Sequence, residues 1–316
     1  MDNSSVSKQL SRRQVIQAAA VAAVASSKPI WANEPPKNGW IDAHVHIWTP
    51  DTQAYPLAEG FQKSDMRPTS FTPDELFAQC RPVGVDRIVL IQMSFYKFDN
   101  RYMLDAIAKY PDTFRGVGII DHQQASAAAT MKALQKQGVT GFRLYANAES
   151  AKSWINSPEM AVMWKTAGDT GQAICLLANP DALPAIESLC RKFPRTRVVI
   201  DHFGRIGVDG KFRSQDLNNL SKLADLPEVF IKTSAFYALG EKKPPYLDLA
   251  PMIRQLYEKF GPERLMWASD CPYQVQDAHT YAASIELIRD RLDFLTEEDK
   301  SWILQKTAQK VYWSAS

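Results

Sequence analysis

From residue 40 onward, two spacings of apolar residues alternate along the chain. Short runs rich in β-branched residues occupy positions 41–48, 87–93, 115–120, 140–145, 173–179, 197–203, 229–234 and 264–269, each about the length of a buried strand. Between them lie stretches with apolar residues every three to four positions, opened by helix-starting residues, as in "TPDELFAQC", "NRYMLDAIAKY" and "NPDALPAIESLCRKF". Gly138, Gly168, Pro194 and Gly261 stand where helices should stop. Eight strands alternating with eight helices predict parallel β-α units. The economical closed arrangement is a (β/α)8 TIM barrel of about 250 residues, with "TEEDKSWILQKTAQKVYW" as a C-terminal helix. An open, doubly wound sheet would ask for a glycine-rich turn after the first strand, and "VHIWTPDT" contains no glycine.

In such a barrel alternate side chains point inward and chemistry gathers at the C-terminal mouth. The first strand, "WIDAHVHIW", puts Asp42, His44 and His46 at alternate positions, which predicts one inward side with the histidines at the mouth and Asp42 below them. The ends of strands 4, 6 and 8 add Arg143, His202 and Asp270. Ionisable groups gathered around one cavity are costly to bury unless they bind a metal, a substrate or one another. Candidate substrate contacts are Arg205, Lys232, Trp48 and Tyr273. Lys232 is either a pocket cation or a residue leaving the barrel between helices, and Arg205 pairs with either a substrate carboxylate or a loop acid.

The first forty residues differ from the rest. Lys8, Arg12 and Arg13 precede an Ala/Val run to Ala25 and a Ser/Pro-rich stretch. The run is shorter than the roughly 20 apolar residues of a membrane span, and "SRRQVIQ" resembles a twin-arginine export signal. Residues 1–32 are therefore expected to be a signal peptide, 33–39 a linker and 40–316 one barrel domain, in a periplasmic or otherwise exported protein with no membrane contact after signal removal. The formal net charge is +2 and falls to about zero once the leader is gone, which argues against nucleic acid or an anionic membrane as partner. Cys80, Cys175, Cys190 and Cys271 follow no metal-ribbon or disulfide-framework spacing.

The segments "IDAHVHIW", "GFRL", "VIDHFG" and "LMWASDCPY" together resemble the amidohydrolase superfamily, in the amidohydrolase 2 branch of TIM-barrel hydrolases, over about residues 40–313. The form "IDHFGR" is most similar to the sugar-lactone and 2-pyrone-4,6-dicarboxylate lactonases of that branch. The resemblance implies catalytic roles for Asp270 as base on the attacking water, His202 at the carbonyl, the His44–His46 pair at a metal or the oxyanion, and Arg143 on substrate oxygens. The metal-using members take a further ligand from strand 5 or a modified lysine from strand 4; here those strands read "AICLLAN" and "TGFRLY". The resemblance leaves His44, His46 and Asp270 to hold one divalent ion such as zinc with an open position, and the pattern is shared with members that work without metal, so the cofactor is expected to be one divalent ion or none. The implied reaction is opening of a lactone or related cyclic ester. A zinc-dependent decarboxylase and a non-catalytic sugar-acid binding protein are the rival readings. The partner is a small-molecule carboxylate or lactone, and relatives of this kind often form homodimers.

Overall fold

The computed structural model describes residues 39–314. The signal peptide and most of the linker read from the sequence lie outside the described residues. Eight parallel strands follow one another around a sheet in chain order: β1 (Trp40–Val45), β2 (Val85–Ile91), β3 (Phe114–Gly118), β4 (Val139–Ala146), β5 (Ala173–Ala178), β6 (Val198–Ile200), β7 (Val229–Ser234) and β8 (Leu265–Ala268). This is the TIM-barrel order, with helices between the strands. Among the described residues no helix is long and apolar enough to cross a membrane.

Local chemistry explains the helix boundaries. Helix α1 (Pro73–Cys80) starts with a capping box in which Thr72 accepts from Glu75 N and the Glu75 carboxylate accepts from Thr72 N at 2.6 Å. Helix α2 (Arg101–Lys109) buries Met103, Ala106 and Ile107. A helix that sequence spacing missed, α3 (Ala148–Trp154), follows β4. Gly168 does not stop its helix, Pro158–Thr170; the chain turns at Gly171, where φ is 72°.

Two apolar layers result. The larger packs the helices onto the outer side of the strands. The smaller fills the barrel with Ile41, Ala43, Val89, Val117, Cys175, Val199, Phe230 and Met266, joined by Ala308, Val311 and Tyr312 of the C-terminal helix (Thr307–Tyr312). That helix therefore closes the bottom of the barrel. Arg197 Nη1 donates to Val311 O at 2.9 Å, and Gln305 Nε2 to Gly39 O at 2.9 Å.

The first strand departs from simple alternation. Asp42 is registered with Ile88 and Val45 with Leu90, three steps along β1 against two along β2, which is a bulge. Ile41 and Ala43 thus face the barrel interior, and Asp42 faces outward. The expected inward row of Asp42, His44 and His46 is corrected accordingly: the bulge turns only the histidines into the barrel. Asp42 instead braces the seam between β1 and β8, where a single parallel bridge joins Val45 to Cys271. Its Oδ1 accepts from His44 N at 3.1 Å and Ser269 N at 2.9 Å, and its Oδ2 from the Tyr281 hydroxyl at 2.5 Å. Burial pushes the Asp42 carboxyl up to about 6, although these hydrogen bonds pull the other way. Two backbone contacts complete the seam, Asp270 N to His44 O at 2.9 Å and His46 N to Cys271 O at 2.8 Å. Asp42→Ala strands two buried N–H groups and a hydroxyl, and is expected to cost roughly 3 kcal/mol or more in urea denaturation.

Candidate active site

The C-terminal mouth of the barrel holds a cavity of about 360 Å³. Its floor is made by His46, Arg143, His202 and Asp270, and its walls include Gln92, Tyr145, Leu177, Arg205, Tyr237 and Tyr273. The groups read from four strand ends do converge. His46 Nε2 lies 3.3 Å and His44 Nε2 3.4 Å from Asp270 Oδ1, and the two Nε2 atoms are 3.2 Å apart. Arg143 Nη1 is 3.1 Å from His44 Nε2, and its guanidinium sits 5.3 Å from the Tyr145 ring centre. His202 Nε2 lies 3.8 Å from Asp270 Oδ2, and His202 Nδ1 is 2.8 Å from Ser234 Oγ.

Backbone conformation delivers several of these groups. Strand β6 ends at Ile200, and His202, Phe203 and Arg205 have φ of 52°, 55° and 58°. Asp270, after β8, has φ of 64°, and Ala235, after β7, has φ of 56°. Non-glycine residues in this region are strained, and such strain clusters at functional sites. The left-handed turn after β6 lets two consecutive residues, Asp201 and His202, both reach the barrel axis, which strict alternation forbids.

Burial and neighbouring charges set the protonation states. Burial pushes the His44 imidazole well below its ordinary range, with Lys232 adding to the effect, and takes His202 down to about 4. Both are neutral near pH 7. Burial pushes the Asp270 carboxyl up, but His202, His46 and His44 outweigh it and hold it below the usual carboxylate range.

Two residues expected at the substrate are placed elsewhere. Trp48 is fully buried, its Nε1 donating to Pro68 O at 2.9 Å and its ring set edge-on against Phe95. Lys232 is fully buried beneath His44, where its charge is taken up by Asp201 at 3.0 Å. Arg205 and Tyr273 do line the cavity, and Arg205 Nη1 donates to Asn179 Oδ1 at 2.7 Å.

Three participants were not found from sequence. Asp201 lies inside the barrel between Lys232, His44 and Arg143; burial raises its carboxyl, but those groups hold it well below the ordinary range. Its signal was available, since it stands two residues after the inward Val199. Ser234 is likewise two residues after the inward Lys232. Tyr237, whose hydroxyl donates to Asp270 Oδ2 at 2.7 Å, sits in a loop with no periodic signal.

The donor set fits a divalent ion. His46 Nδ1 is 2.9 Å from Ile91 O, which can only accept, so His46 carries its proton there and turns a lone pair on Nε2 toward the cavity. His44 has a donor beside each ring nitrogen, Arg143 Nη1 at 3.1 Å from Nε2 and Lys232 Nζ at 3.2 Å from Nδ1, and its Nε2 is a ligand atom when the ring proton is on Nδ1. Asp270 Oδ1 is buried with no hydrogen-bond donor among the described residues. Three atoms that can serve as metal ligands thus face one another at 3.2–3.4 Å. Ligands held about 2.0–2.2 Å from one tetrahedral zinc ion stand about 3.3 Å apart, the same spacing.

A closed parallel barrel with two histidines from its first strand and an acid after its last, gathered under a small cavity, is the architecture of a barrel hydrolase. The chain belongs to the amidohydrolase family, whose model matches residues 41–313, and it is an enzyme of the hydrolase class. It is 30% identical over 239 residues to the L-fucono-1,5-lactonase of Burkholderia ambifaria, covering 73% of this chain and 80% of that protein. It is 28% identical over 240 residues to the 4-sulfomuconolactone hydrolase of Rhizobium radiobacter, covering 75% of this chain and 77% of the relative. In fold it matches an amidohydrolase from Burkholderia multivorans solved with bound zinc, with a TM-score of 0.74 at 20% identity, over 87% of this chain and 99% of that one.

Tyr237→Phe removes the hydroxyl from Asp270 Oδ2 without altering the cavity wall. Steady-state kinetics are expected to show kcat lowered by about ten- to a hundredfold with KM little changed.

Proposed function

We propose that the protein hydrolyses a lactone or related cyclic ester. The observation that carries this reading is Asp270, whose Oδ2 accepts from the Tyr237 hydroxyl and whose Oδ1 lies 3.3 and 3.4 Å from the Nε2 atoms of His46 and His44, at the floor of a cavity that also presents Arg143 and His202. The relatives named for lactone hydrolysis support it.

Water attacks the lactone carbonyl carbon while Asp270 takes its proton. Tyr237 fixes the carboxylate, so that one oxygen stays directed at the reacting centre. When Ser234 donates to His202 Nδ1, 2.8 Å away, in place of Lys232 O at 3.4 Å, His202 carries its proton on Nε2 and offers it to the carbonyl oxygen. Arg143 adds a guanidinium to the developing oxyanion, in a pocket where low dielectric strengthens the contact. The ring C–O bond then breaks, and the proton held by Asp270 passes to the departing alkoxide. An ion held by His44, His46 and Asp270 would supply Lewis-acid polarisation of the carbonyl or the attacking water. Arg205 supports an acidic substituent on the substrate, a task suited to a guanidinium fork.

Asp270→Asn is expected to lower kcat on a responsive lactone by roughly 10²- to 10⁴-fold while the folded far-UV spectrum is kept; an unimpaired variant removes Asp270 from the chemistry. A panel of lactones and aromatic acids assayed with and without chelator separates the rivals. Carbon dioxide release from an acid would favour decarboxylation, and binding without turnover would favour a sugar-acid receptor.

Export through the twin-arginine route belongs to the same proposal and is supported by Arg12 and Arg13. Replacing both with lysine is expected to leave the full-length protein in the cytoplasmic fraction, and unchanged fractionation would remove this reading.

A further inference from the structure

Two loops meet beside the cavity carboxylate. One, residues 235–249 after β7, carries Tyr237; the other, residues 269–280 after β8, carries Asp270 and Tyr273. Tyr237 Oη donates across the gap to Asp270 Oδ2 at 2.7 Å. The second loop is anchored to β1 through the Val45–Cys271 bridge. The first has no such anchor, since its backbone hydrogen bonds run within itself and to Gly207. A hydrogen bond weakens steeply when its partners move out of line, so the Tyr237–Asp270 contact depends on what holds one loop against the other.

Tyr246 supplies that link. Its side chain is buried, its φ is 61°, and the ring of Phe236, next to Tyr237 in the chain, lies 5.8 Å from its ring centre. Its hydroxyl meets two groups of the other loop. Gln274 Nε2 donates to Tyr246 Oη at 2.9 Å and to Thr280 O at 3.0 Å. A carbonyl can only accept, so the second bond fixes which way the amide points. His279 Nδ1 lies 2.8 Å from the same Oη; whichever of the two carries the proton, the contact joins the loops. The His279 ring also stands edge-on to Tyr237 at 6.0 Å between centres, and Tyr273 stacks on Tyr237 at 6.5 Å. Tyr246, Gln274 and His279 do not line the cavity.

We propose that Tyr246, through His279 and Gln274, is a positioning residue for Tyr237: its hydroxyl pins the loop after β7 to the loop after β8 and so keeps the Tyr237 hydroxyl on Asp270 Oδ2. The inference rests on reading Asp270 as the base of the proposed hydrolysis. Because the clasp stands behind the cavity wall, its loss acts on turnover and not on substrate affinity. Tyr246→Phe deletes one oxygen and keeps the ring that Phe236 and His279 pack against. Gln274 then keeps only Thr280 O, His279 Nδ1 loses its partner, and the loops part at that point. His279→Leu removes the same contact from the opposite loop, at a half-buried position.

The test is a double-substitution cycle with a structural readout. In steady-state kinetics Tyr246→Phe is expected to lower kcat about five- to tenfold with KM within about twofold. Made on top of Tyr237→Phe, it is expected to lower kcat by less than about twofold, because the bond it protects is already gone. His279→Leu follows the same pattern and carries every measurement if Tyr246→Phe does not fold. A general weakening of the fold would lower kcat by the same factor in both backgrounds, and that result overturns the proposal, as does an unchanged kcat in Tyr246→Phe alone. Crystal structures are expected to show the Tyr237–Asp270 bond made in the unsubstituted protein and out of hydrogen-bonding reach in Tyr246→Phe. The bond kept in the variant overturns the proposal whatever the kinetics. Failure of every lactone in the panel would instead remove the lactone reading, and the two crystal structures would still decide the role of Tyr246.

Discussion

The interior of this barrel is organised around one carboxylate that water does not reach. Left alone, Asp201 would be driven neutral by burial; Lys232, His44 and Arg143 keep it ionised, at contacts of 3.0, 3.5 and 3.8 Å. Each of those partners is committed by the arrangement. Lys232 is withdrawn from the cavity, His44 is oriented, and Arg143 is held between the buried acid and the cavity floor. The mutual attraction of the set in a low dielectric offsets a desolvation cost that no single pair would offset as well.

Above this layer the chain accepts strain to present its reactive groups. His202, Ala235 and Asp270 follow the ends of β6, β7 and β8, all at positive φ. Such residues cost of the order of 1–3 kcal/mol each and persist where packing over-determines them. Phe203 and Phe236 are fully buried beside them, and Asp270 is tied by its backbone N–H to His44. The strained positions therefore rest on the same seam that Asp42 braces, so the stability of β1 against β8 and the placement of the base are one constraint.

The alternation of apolar runs was enough to show the barrel, because a parallel sheet covered on both faces writes each strand as a short apolar block. The strand-end polar residues were legible for the same reason: His44, His46, Arg143 and Asp270 interrupt those blocks where the mouth must be. Three features were not legible. The bulge in β1 inserts a residue without changing the apolar pattern, so Asp42 read as inward. Strand β6 is only three residues long, and its left-handed exit brings His202 in beside Asp201, which alternation already turns inward. Tyr237 reaches Asp270 from a loop, whose path depends on tertiary contacts that no local spacing encodes. Lys232 was ambiguous between two environments and belongs to a third, since an inward lysine at this depth meets Asp201 before it meets the cavity.

The helix Thr307–Tyr312 gives the barrel a directional history. It follows all eight strands in the chain, yet Tyr312 is the ring beneath Lys232, and Val311 and Ala308 complete the interior layer. During synthesis the eight strands are thus available before this helix can cover the lower end of the lumen, and among the described residues it is this helix that sets the Tyr312 ring against the Lys232 ammonium. Drying of the barrel is then a late event. The electrostatic environment of His44 matures only when the strands and the closing helix are all in place, so a chain interrupted before that helix would carry the catalytic side chains without the low-dielectric surroundings that set their protonation.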